Sequence, residues 1–192
     1  NVNATGNGQA TVYLGNGSAS SDSSNSTNIT PPAAAISGTL NNNNWGFYSL
    51  GSQSTYLAPS FAVFNGYLYM VYNSNDSQDL YIQRSADGYN WEGLTNLGSG
   101  FETYDQASLA VFNNTLYLAF TATNNQVILA PASLDSGTEV GVSFSSSTFF
   151  QVDGQTANSG PTLVTYNGAL YVFFEAQNSN NPPIRYNSSS NP

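Results

Sequence analysis

Any acid–base chemistry in this chain falls to carboxylates. Its 192 residues include eleven Asp and Glu and two basic residues, Arg84 and Arg185, but no His, Lys or Cys. Without His, the commonest general base and the commonest transition-metal ligand are gone. Without Cys, thiol chemistry, disulfide scaffolds and Cys-based zinc sites are gone too. Two carboxylates facing each other across a sugar can by themselves run glycoside hydrolysis. Glu92, Glu102, Asp105, Glu139, Asp153 and Glu175 are the candidates. None sits in a signature, and each reads more simply as a surface or turn residue. No catalytic residue is assigned, and the chain is read as not an enzyme. Asn75-Asp76-Ser77-Gln78-Asp79 offers several oxygens that calcium would accept, but it lacks the spacing of an EF-hand loop. Asp135-Ser136-Gly137-Thr138-Glu139 is similar. Both read as solvated loops, and no cofactor is expected.

The charge balance narrows the partners. A net charge of −9, with only 7% of residues charged, argues against nucleic acid and anionic membrane surfaces, which need clustered Lys and Arg. No apolar run is long enough to span a bilayer as a helix. The polar surface is carried by Asn, Ser, Thr, Gln and Tyr. Acid protonates the carboxylates and leaves a side-chain charge of about +2. The chain opens at Asn1 with no visible signal peptide, so it reads as a mature, processed product of the cell exterior.

The elements that would position these groups come from a repeat. Ala58-Pro59-Ser60-Phe61-Ala62-Val63-Phe64-Asn65-Gly66-Tyr67-Leu68-Tyr69 returns as Gln106-Ala107-Ser108-Leu109-Ala110-Val111-Phe112-Asn113-Asn114-Thr115-Leu116-Tyr117. It returns again as Gly160-Pro161-Thr162-Leu163-Val164-Thr165-Tyr166-Asn167-Gly168-Ala169-Leu170-Tyr171. The aligned Phe64, Phe112 and Tyr166 are 48 and then 54 residues apart, the spacing of four-stranded propeller blades and similar β arrays. Each copy predicts a hairpin, because Asn-Gly between alternating apolar runs is the strongest short hairpin signal. Third strands are expected at Leu80–Gln83, Val127–Leu129 and Ile184–Tyr186. Fourth-strand elements are expected at Trp45–Gly51, Trp91–Gly98 and Val142–Phe150. The expectation is an all-β domain over residues 41–192, with about three four-stranded antiparallel repeats, propeller-like or stacked as in a sandwich. Three blades fall below the usual four to eight, so an unfinished sheet edge must be covered.

Ser85-Ala86-Asp87-Gly88-Tyr89-Asn90-Trp91 is the most specific local motif. It resembles the Asp-box turn of sialidase-type and related propeller repeats, in a shortened form with Asp and Gly adjacent, and the propeller-like resemblance covers residues 43–192. What it implies is structural: Asp87 bonding backbone amides, Gly88 turning, and Ser85 and Trp91 completing a turn scaffold. A sialidase needs several arginines to clamp a carboxylate, and two are too few.

Residues 1–40 read as an extended tail. Gln9-Ala10-Thr11-Val12-Tyr13-Leu14 has the pattern of one strand, followed by a low-complexity Ser/Asn tract and Pro31-Pro32. Sequons stand at Asn3, Asn16, Asn25, Asn28, Asn75, Asn113 and Asn187. Chance yields about as many in so Asn-, Ser- and Thr-rich a chain, so their placement in the tail, a loop and a hairpin turn says more than their number. Tyr48, Tyr67, Tyr81, Tyr89 and Tyr104 are candidates for stacking on sugar rings, although strand aromatics are usually core or cross-strand pairs. In composition and layout the chain is similar to the glycosylated thread-type filament subunits of archaeal surfaces. That resemblance implies an extracellular structural or adhesive subunit carrying N-glycans and polymerising with copies of itself, each donating the Gln9–Leu14 strand to its neighbour. The alternative is a secreted glycan-binding, propeller-like lectin module completed by oligomerisation.

Overall fold

Turn chemistry sets the hairpins. The backbone is left-handed at both residues of each turn: φ is +48° and +78° at Asn65-Gly66, +45° and +57° at Asn113-Asn114, and +47° and +73° at Asn167-Gly168. The twist of such turns matches that of the strands they join. The computed structural model describes residues 2–5, 9–12, 50, 53–177 and 182–192. The chain divides into two units, Asn1–Ser49 and Leu50–Pro192. In the first, β1 (Val2–Thr5) and β2 (Gln9–Val12) form an antiparallel hairpin with Val2 opposite Val12. Tyr13, Leu14 and most of the strand expected at 45–51 lie outside the described residues.

Among the described residues the second unit holds three antiparallel sheets. The first runs in chain order through β3 (Ser60–Phe64), β4 (Tyr67–Asn73), β5 (Leu80–Ser85) and β6 (Trp91–Asn96). The second contains β7 (Ser108–Phe112), β8 (Thr115–Thr121) and the long β9 (Gln126–Leu134). Both β10 (Val142–Phe144) and β11 (Phe150–Thr156) pair with β9, at its opposite ends. The third contains β12 (Thr162–Tyr166), β13 (Ala169–Glu175) and β14 (Ile184–Ser189). The all-β repeat architecture therefore stands, with sheets of four, five and three strands rather than four each. Among the described residues no helix is long and apolar enough to cross a membrane.

The second sheet departs from expectation because Val142–Phe150 is not one strand. A 3-10 turn at Ser146–Thr148 interrupts it, capped by the Ser145 hydroxyl, which accepts from the Ser147 amide. The break lets Phe149 turn inward, edge-on to Phe101 with ring centres 4.9 Å apart and to Phe120 at 5.7 Å. A continuous strand would forgo that packing, and buried aromatic pairs contribute about 0.5–1.5 kcal/mol beyond their area.

The sheets lie blade-fashion, with the first strand of each (β3, β7, β12) next to that of its neighbour. Period-two alternation gives each strand two apolar faces, so two cores form. Phe64, Tyr69, Leu80 and Ile82 of the first sheet pack against Leu109, Leu116, Leu118 and Phe120 of the second. The second sheet's other face, Phe112, Tyr117, Val127 and Leu129, packs against Leu163, Leu170, Val172 and Phe174 of the third. Hydroxyls tie the inner strands together. Ser60 Oγ accepts from the Leu109 amide at 3.0 Å, and Ser108 Oγ accepts from the Leu163 amide at 2.9 Å. Glycine admits the closest approaches: at Gly93, with φ of +68°, a Cβ would stand 2.5 Å from the Val140 nitrogen.

Candidate functional site

Two faces of this array have no neighbouring sheet among the described residues. On the third sheet, alternation turns Val164, Tyr166, Tyr171 and Phe173 away from the second, and register places Tyr186 beside Phe173 and Ile184 beside Glu175. The rings cluster, with Tyr171 and Phe173 stacked at 6.2 Å and Phe173 5.5 Å from Tyr186. Repeat-equivalent positions elsewhere are buried. Tyr166 is 69% exposed where Phe112 is 4%, and Ile184 is 81% exposed where Val127 is 0%. On the first sheet Phe61 and Val63 point the other way, and Phe61 is 47% exposed where Leu109 is 5%. Sequence reasoning missed Ser60, Ser108 and Thr162 as a set. Their signal was legible, since a hydroxyl residue stands at the same place in all three copies of the repeat.

The Asp87 turn is closed by its own side chains. The Asp87 carboxylate accepts from the amides of Tyr89 at 2.8 Å and Asn90 at 2.7 Å, and from the Asn90 side-chain amide at 2.7 Å. The Ser85 hydroxyl donates to Asp87 and accepts from the Gly88 amide. These bonds, the Asn90 amide foremost, hold the Asp87 carboxyl well below the usual carboxylate range. Trp91 opens β6, half-buried, its ring 6.1 Å from that of Phe61.

The candidate carboxylates scatter, with one exception. Glu92 pairs with Arg84 at 2.9 Å, and that guanidinium also lies 4.1 Å over the Tyr67 ring. Glu102 accepts from the Gly100 amide, Glu139 is exposed in the loop before β10, and the side chain of Asp153 lies outside the described set. Asp105, in the segment leading to β7, and Glu175, at the end of β13, lie near enough for the charge of one to act on the other. Partial burial raises the Asp105 carboxyl above its ordinary value, and the Glu175 charge raises it further.

A cleft of about 150 Å³ opens on the first sheet, where Tyr72 and Tyr81 stack at 5.9 Å beside Gln53, Ser54, Ser74 and Asp76. Burial, and next the neighbouring Tyr81, raise the Tyr72 phenol above its ordinary value. Of the other aromatics proposed for sugar stacking, Tyr89 and Tyr104 are exposed, and Tyr48 lies outside the described residues. A larger cavity, about 280 Å³, lies between the second and third sheets and is lined chiefly by Leu129, Val152, Leu163 and Val172, with Asn187 at its wall. In the Asn75–Asp79 loop, Asp79 accepts from Ser77 and Asn96, and among the described residues no three carboxylates converge. Of the sequons, Asn113 is exposed at its hairpin turn, Asn75 is half-buried with Oδ1 closed off from solvent, and Asn3 lies on β1. Asn16, Asn25 and Asn28 lie outside the described residues.

No protein-family model matches the chain, and no curated protein matches it either. Among solved structures it is similar to a thermostable family-43 glycoside hydrolase, at 14% identity and a TM-score of 0.34, over 70% of this chain and 68% of that one. It is also similar to the GH43_1 enzyme from Xanthomonas citri complexed with xylose, at 14% identity and a TM-score of 0.27, over 70% and 69%. The expectation that this chain is not an enzyme is corrected on this finding: the structures it is similar to are glycoside hydrolases. At this similarity no particular activity carries over to it.

Proposed function

We propose that the chain is a structural or adhesive subunit of an extracellular filament or surface layer, built from copies of itself. The observation that supports this reading is a pair of sheet faces, one at each end of the repeat array, that have no neighbouring sheet among the described residues, on a molecule with a net charge of −9 and almost no cations. Apolar faces of this kind mark association surfaces. Two linkages are open to such a subunit: donation of the Gln9–Leu14 strand to a neighbour, or contact between sheet ends. Asn113, exposed at its hairpin turn, is accessible to a glycan. Electron micrographs of the full chain at micromolar concentration test the reading. Threads with a regular axial repeat are expected; discrete particles alone would refute it.

A second reading, a glycan-binding module, is favoured by the Tyr72–Tyr81 cleft, where aromatic rings lie beside amide, hydroxyl and carboxylate groups. Sugar-binding sites combine such apolar faces with a few polar groups. Its test is titration of the full chain with a panel of mono- and oligosaccharides. Binding that Tyr81→Ala abolishes would support it, and no binding at millimolar sugar would dismiss it.

A further inference from the structure

Resting on the self-assembly reading, we infer that the third sheet's outer face, exposed among the described residues, docks the first sheet of a second copy of this chain, through the same interface that the chain uses twice within itself. The argument is one of equivalence. Between the first and second sheets, Phe64, Leu80 and Ile82 meet Leu109, and Ser60 Oγ takes the Leu109 amide. Between the second and third sheets, Phe112, Val127 and Leu129 meet Leu163, and Ser108 Oγ takes the Leu163 amide. The third member of the donor series is Tyr166, Ile184 and Tyr186, with Thr162 in the hydroxyl position. The register is the same, because Val71–Ile82, Ala119–Leu129 and Phe173–Tyr186 are aligned pairs. The first member of the acceptor series is Phe61, on the opposite side of the array. Both halves of a twice-used interface are therefore presented by one molecule.

The contact is heterologous, since the two surfaces differ, so each copy engages one neighbour at either end. Thr162 Oγ1 would accept from the Phe61 amide of the next copy. Tyr166, Ile184 and Tyr186 would close over Phe61 and Val63. Two copies together supply six of the repeat sheets described, within the four to eight of closed propellers, whereas continued addition without closure makes a thread.

Sedimentation of the full chain, alone and as Tyr166→Asp and Phe61→Asp variants, tests this. Each substitution puts a charge on one face and leaves the other intact, and both sites are exposed, so circular dichroism should match the parent. The expected result is association weakened at least about a hundredfold in either variant. An equimolar mixture of the two should form a one-to-one pair and nothing larger, because only one good interface can form. Variants that assemble as well as the parent, or a mixture that stays monomeric, would overturn the inference while leaving self-assembly by another route. A parent that is monomeric at 100 µM (about the upper range for a specific transient contact) would overturn both this inference and the filament reading. A closed pair of parent chains that either substitution disrupts would uphold the inference and overturn the thread. With no native Cys, a disulfide between separately prepared Phe61→Cys and Val164→Cys chains would support the contact independently.

Discussion

The Ser108 hydroxyl accepts a hydrogen bond from the Leu163 amide at 2.9 Å across the boundary between the second and third sheets. It satisfies a backbone donor that faces a neighbouring inner strand rather than its own ladder. Ser108→Ala leaves that buried amide without a partner and should cost about 1–3 kcal/mol. Ser108→Thr, the residue type found at Thr162, should cost less. Urea denaturation of the two variants against the parent checks the order.

Gly93 meets the Val140 backbone at the junction of the first and second sheets. Its φ of +68° disfavours any L side chain, and an added Cβ would stand 2.5–2.7 Å from Val140 and Glu139 backbone atoms. Gly93→Ala should destabilise by more than about 2 kcal/mol, combining a left-handed penalty with a clash that no rotamer relieves. The midpoint of thermal unfolding gives the measurement. Gly66→Ala, where nothing lies within 4 Å, should show the left-handed penalty alone.

Asp87 sets an acid-side dependence. Its carboxyl is held below the ordinary value in the folded chain, so the folded state binds fewer protons than the unfolded one as pH falls through the carboxylate range. The stabilisation is complete above the unfolded value of about 3.9 and is lost as pH drops towards the lowered folded value. Asp87→Asn should therefore differ most from the parent at neutral pH and converge with it in strong acid. Thermal midpoints measured across that range decide the matter.

Asp105 has the opposite sign. Burial, followed by the Glu175 charge, raises its folded value, so the folded state holds the proton more tightly than the unfolded chain. Its ionisation weakens the fold as pH rises from the unfolded value through the raised one, and the penalty is absent below both. Asp105→Asn should raise the thermal midpoint at pH 7 and change it little at pH 3. Glu175→Gln should lower the Asp105 value, which carboxylate chemical shifts across a pH titration would register.

What the sequence made legible was local. Asn65-Gly66 and Asn167-Gly168 announced their hairpins because the left-handed conformation they need is chemically selective, and the threefold string carried the inner strands with it. The split of Val142–Phe150 was hidden, since Phe149 is drawn out of line by Phe101 and Phe120, residues far away in sequence. The influence of Glu175 on Asp105 was hidden for the same reason: it runs from the end of β13 to the segment before β7, and no spacing encodes it. The hydroxyl series at Ser60, Ser108 and Thr162 was present in the repeat, but its meaning depends on which strand lies alongside, and that is a fact of three dimensions.

The fate of the two arginines bears on resistance to proteolysis. A protease that cuts after basic residues finds only two peptide bonds to attack, after Arg84 and after Arg185. Arg84 lies within β5, flanked by β4 on one side and β6 on the other, its side chain bonded to Glu92 and laid over Tyr67. Threading that bond through a protease cleft requires dismantling the first sheet, so cleavage there should track unfolding of the sheet rather than a passing fluctuation. Trypsin-like enzymes would leave the folded repeats largely undigested, nibbling at most near the carboxyl end.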